Sequence, residues 1–100
     1  MIGDEGIVAG MLSEEAVLEQ LIEEAGELVQ ASAKRLRILR GENWTPISPE
    51  GNMEDIREEL ADVSLLIDVY RAKTGIDITE HFRKKEQKCA RWLSRLGVTK

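Results

Sequence analysis

The apolar residues of this chain recur every three or four positions through three segments, and they alternate over no useful length. That periodicity argues against a sheet and asks for helices that each bury one face. Ser13 is a good N-cap, followed by Glu14 and Glu15 at the positive end of the helix it starts. Leu18, Leu21, Ile22, Ala25, Leu28, Val29, Ser32, Leu36 and Leu39 then recur at helical spacing. Lys34, Arg35, Arg37 and Arg40 suit the C-terminal end, and Gly41 stops it. A second stripe runs through Ile56, Leu60, Val63, Ile67 and Tyr70, widened by Leu65, Leu66 and Val69, and Gly75 ends it. Thr79 caps a third helix carrying Phe82, Cys89, Leu93 and Leu96. The spacing predicts helices over 13–40, 53–74 and 79–96, a loop over 41–52 with two prolines and two glycines, and an irregular arm over 1–12. The expected fold class is all-α, an antiparallel helical bundle formed by one domain spanning residues 1–100.

Charge and cysteine usage narrow the partners. A formal net charge of −5 argues against a nucleic-acid polymer, which calls for a basic footprint. A small phosphorylated ligand stays open, because a metal bridges acid to phosphate. The single cysteine, Cys89, forms no internal disulfide and suits a reducing compartment. No basic region followed by an apolar run marks a signal peptide, and no apolar stretch has transmembrane length. The expectation is a soluble, cytoplasmic protein with no membrane partner.

The stretch EELADVSLLIDVY, residues 58–70, holds a conflict. On a wheel at roughly 100° per residue, Glu59 falls between Leu66 and Tyr70, inside the apolar stripe, and Asp62 lies at its edge. In the first helix Glu24 sits at the edge of the stripe and Glu27 one step beyond, while Glu23 is turned toward the polar side. Each helix thus offers an acid pair at i, i+3, which places both carboxylates on one side about a turn apart. If the stripes pack together, the pairs converge. Four carboxylates do not stay ionised in one partly buried pocket without compensation, by protonation, by basic partners or by a hard divalent cation. Oxygen-only donors suit Mg²⁺, with Mn²⁺ as an alternative. The only histidine, His81, lies far from both pairs, so a Glu-x-x-His di-iron site is excluded. Acids at this spacing are also common on solvated helix faces, usually with Lys or Arg partners, but Glu59 has none at i±3 or i±4.

These words resemble the MazG-related branch of the all-α nucleoside triphosphate pyrophosphatases. The family signature, E-E-x-x-E, a spacer, then E-x-x-D, stands here as Glu23-Glu24-Ala25-Gly26-Glu27 and Glu59-Leu60-Ala61-Asp62. The spacer, 28–58, is long for the family because of the loop at 41–52. KKEQKCAR, residues 84–91, resembles a K-x-E-x-N-x-x-R stretch of these proteins, with Lys88 where the family often has Asn.

The resemblance implies hydrolysis of a nucleoside triphosphate to a monophosphate and pyrophosphate, supported by Mg²⁺. It implies Glu24, Glu27, Glu59 and Asp62 as metal ligands and as part of the catalytic set. Glu23 joins them to orient the attacking water, to act as its base or to complete the shell. Lys84, Lys88 and Arg91 are the candidate contacts to triphosphate oxygens, and Trp44 a candidate stacking partner for the base, with a plug over the helix pair as its plainer role. Tyr70, Trp92 and Cys89 read as packing or interface residues. Nothing in the sequence supplies a Ser-His-Asp or Cys-His arrangement or a P-loop. The family's sites form in four-helix cores completed by a second subunit, so a homodimer or homotetramer is expected, with Leu65, Leu66 and Val69 as the candidate contact. The rival expectations are a non-catalytic metal- or nucleotide-binding module and a helical assembly whose acids pair with Lys and Arg across an interface.

Overall fold

The computed structural model describes residues 3–42 and 46–98. Four helices follow in order: α1 (Asp4–Met11), α2 (Glu14–Leu39), α3 (Pro49–Thr74) and α4 (Ile78–Arg95), with no strand among the described residues. The all-α architecture is the one the periodicity demands.

Each of the long helices starts on a side-chain cap. Ser13 Oγ accepts the Ala16 N–H at 3.1 Å, Ser48 Oγ the Gly51 N–H at 2.9 Å, and Asp77 Oδ1 the Thr79 N–H at 3.2 Å. Two starts differ from the sequence reading. α3 begins at Pro49 rather than at 53, because Ser48 caps it and Pro49 has a preset φ and no N–H to waste in the first turn. α4 begins at Ile78 with Asp77 as cap, so Thr79 lies inside the helix. The segment 1–12, whose glycines predict an irregular arm with at most a short helical turn, contains α1, an eight-residue helix with acidic Asp4 and Glu5 in its first turn. Gly75, at φ 74°, closes α3 in the left-handed region that a side chain would strain.

α2 and α3 form an antiparallel pair whose register is fixed by three polar contacts. The Tyr70 hydroxyl donates to Glu14 Oε1 at 3.0 Å, Asn52 Nδ2 to the Ala31 carbonyl at 3.1 Å, and Arg35 Nη1 to the Pro49 carbonyl at 3.4 Å. α1 folds back on α3, and Ala9, Val17 and Val69 form the buried apolar cluster, with Leu12 and Tyr70 packed against it. Val69 is therefore spent inside the chain rather than offered to a partner, contrary to its expected role as a contact. Leu66 is half-buried and Leu65 exposed.

α4 stands apart from this core. None of its residues is buried. Cys89 is exposed and free, and Trp92 is 60% exposed with Arg95 5.5 Å from its ring centroid, so neither packs within the chain. Tyr70, by contrast, is packed against the core. No helix among the described residues is long and apolar enough to cross a membrane.

Candidate metal centre

The α2–α3 register places the two acidic words opposite each other. Glu24 and Glu59 are half-buried on facing helices, and Glu27 stands exposed one turn along α2 from Glu24. One carboxylate oxygen from each of Glu24, Glu27 and Glu59 can be chosen so that all lie within 4.8 Å of one another. Asp62 is half-buried a turn beyond Glu59, and its charge is felt by both Glu24 and Glu59. Glu23 is exposed and outside the three-carboxylate group.

The electrostatics express the crowding. Loss of water pushes Glu24 up from an ordinary 4.5 to about 7, and the Glu59 carboxyl and the charges of Glu27 and Asp62 act in the same direction. Burial raises Glu59 as well; Glu24 opposes that rise, and Glu27 and Asp62 add to it. Glu24 Oε2 and Glu59 Oε2 are shut away from water and meet no hydrogen-bond donor. A buried carboxylate oxygen without a donor is costly unless a proton or a cation compensates it. An all-oxygen donor set with two such orphaned atoms fits a hard divalent ion.

Beside the acids lies an open cleft of about 210 Å³, lined by Glu27, Gln30, Ala31 and Lys34 from α2 and by Asp55 and Glu59 from α3. Gln30, Lys34 and Asp55 were not among the site residues expected from the sequence. Their signal was spacing: Lys34 follows Glu27 by seven residues, and Asp55 precedes Glu59 by four, each close to whole helical turns.

The other expected substrate contacts are not gathered here. Lys84, Lys88 and Arg91 are exposed on α4, where Lys88 and Arg91 line a separate groove with Trp92 and Arg95. No α4 residue lines the acidic cleft. Trp44 lies outside the described residues.

Fold and site together define a class: all-helical proteins with an acidic, oxygen-only candidate metal centre between two antiparallel helices. A family model described as the MazG nucleotide pyrophosphohydrolase domain matches residues 12–92, and the chain belongs to that family. The family acts on nucleoside triphosphates and generally uses divalent metals. No curated protein and no solved structure matches the chain.

Proposed function

We propose that the protein is a Mg²⁺-dependent nucleoside triphosphate pyrophosphohydrolase, cleaving a (d)NTP between the α and β phosphorus to a (d)NMP and pyrophosphate. The observation that carries this is the pair of orphaned, buried oxygens, Glu24 Oε2 and Glu59 Oε2, facing each other across two helices beside Glu27. Glu24, Glu27, Glu59 and Asp62 would hold the ion, with Mn²⁺ as a substitute. When bound, it supplies charge neutralisation for phosphate oxygens and a more acidic water.

The chain's own residues do the rest. Glu24 and Glu59 hold a negative, poorly hydrated floor that repels a bare triphosphate and accepts one whose charge is compensated. Glu23, exposed beside Glu24, is assigned to orient the attacking water and take its proton. Water oxygen bonds to the α phosphorus, the bond from that phosphorus to the bridging oxygen breaks, and pyrophosphate leaves. Lys84, Lys88 and Arg91 are assigned to phosphate oxygens, and Trp44 to the base.

The same reading includes a homodimer, or a tetramer of paired dimers, and a cytoplasmic setting. A Cα radius of gyration of 17.0 Å, against about 13 Å for a compact chain of this length, supports a core left open for a second copy. An exposed free Cys89 suits a reducing compartment.

The test is a panel of standard and modified triphosphates with Mg²⁺, scored for pyrophosphate against phosphate. Pyrophosphate release that stops on chelation is expected. The stranding of the α4 basic stripe away from the acids favours one rival, a module that binds metal or nucleotide without turnover. Absence of release across the whole panel, with Mg²⁺ still bound, would decide for it.

A further inference from the structure

We propose that Lys34 grips the pyrophosphate end of the substrate, an inference that rests on the hydrolase reading above. Among the described residues, Lys34 is the only cationic side chain lining the acidic cleft; its other ionisable neighbours there, Glu27, Asp55 and Glu59, are acids. It is half-buried, yet among the described residues it makes no ion pair or hydrogen bond. A lysine tied up as a counter-ion for Glu27 or Glu59 would show such a pair. Lys34 instead holds an unengaged ammonium in a concave, solvent-open space.

Helix geometry directs it. Lys34 lies two turns, about 10 Å, beyond Glu27 on the same side of α2. Side chains in a helix lean toward its N-terminus, so the Lys34 stem runs back toward the acids. The β and γ phosphates become the leaving group and gain charge as the bond to the α phosphorus breaks. A fixed cation beside them stabilises that charge more in the transition state than in the ground state. Among the described residues the cleft is lined by α2 and α3 alone, so this contact exists within one chain, whatever α4 does.

The experiment measures binding, not turnover. Calorimetry titrates Mn²⁺ alone, then inorganic pyrophosphate in saturating Mn²⁺, into the full chain and into Lys34→Met, Lys34→Ala and Lys34→Arg. Lys34→Met keeps an apolar stem of similar length, which guards the fold; unchanged helicity and oligomeric state qualify each variant. The inference expects Mn²⁺ binding equal to wild type or tighter, because a nearby positive charge is gone. It expects pyrophosphate affinity to fall about tenfold or more in Lys34→Met, with most of it kept in Lys34→Arg. Equal pyrophosphate affinity in wild type and Lys34→Met overturns the assignment of Lys34 and leaves the hydrolase reading standing. Wild type that binds Mn²⁺ but not pyrophosphate also overturns it. Wild type that binds neither overturns both.

Discussion

Glu24 and Glu59 are placed where a carboxylate is least comfortable, and that discomfort has a measurable sign. Glu24 titrates near 7 in the folded chain against 4.5 ordinarily, and Glu59 is raised too. Between those values the folded state holds a proton that the unfolded chain has released. Stability from this source is therefore present below about 4.5 and is lost as pH rises through about 7. The metal-free protein should melt at a higher temperature at pH 5 than at pH 8. Mg²⁺ should raise the melting temperature at pH 8 and do little at pH 5, because the ion needs the ionised acids. Glu59→Gln should flatten the metal-free pH dependence and leave the fold as stable or more so at pH 8, while turnover falls more than ~100-fold, since even outer-shell changes cost ~10–100-fold. Destabilisation of Glu59→Gln at pH 8 without metal would mean that Glu59 serves a salt bridge instead. These two acids were legible in the sequence because a wheel puts Glu59 inside an apolar stripe and Glu24 at the edge of one. Lys34 was not, because four basic residues near the end of α2 look alike until α3 shows which of them borders a cleft.

At the scale of the element, α3 brings Glu59 and Asp62 against the acids of α2, and Asn52 helps hold it in register. Asn52 is fully buried; its Nδ2 donates to the Ala31 carbonyl, and its Oδ1 meets no donor. Truncation to Ala removes one hydrogen bond and the unsatisfied oxygen together, and should cost about 1–3 kcal/mol. Asn52→Asp has nearly the same shape, yet it turns the donor into an acceptor facing the Ala31 carbonyl and buries a charge with no partner. It should cost more than Ala, about 3–5 kcal/mol, and recover in part at acid pH where the group is neutral. Chemical denaturation at pH 8 and pH 5 measures both, and Asp no worse than Ala at pH 8 would remove Asn52 as the pin. The sequence concealed this element's first turn. Ser48-Pro49-Glu50-Gly51 reads as loop for its proline and glycine, whereas Ser48 is a cap and Pro49 sits where a helix tolerates it. The end of α3 was plain, because Gly75 in the left-handed region has one common use after a helix.

Over the whole molecule, the apolar surface exceeds what one chain covers. On α2, Ile22, Val29 and Leu36 are 72%, 67% and 45% exposed and recur every seven residues. On α3, Leu60 and Ile67 are 54% and 39% exposed with the same spacing. Ile67 shares a groove with Leu21, which marks one side of the α2–α3 pair. Rows of this repeat pack against like rows in helical bundles. A two-fold pairing of the α2–α3 hairpins through this side would form four helices around a shared core and leave the acidic cleft, which lies between Glu27 and Asp55, outside the contact. The sequence pointed to association but named Leu65, Leu66 and Val69, because a wheel cannot tell that α1 returns to cover Val69. Light scattering should find a dimer or tetramer at micromolar concentration, with a melting temperature that rises with concentration. Val29→Lys combined with Leu60→Lys sets four like charges in the paired core. It should yield monomers and abolish the concentration dependence, whereas Leu65→Lys should change neither. A monomeric wild type would refute the association itself, whereas a double variant that still assembles would move the interface to α4, none of whose residues is buried.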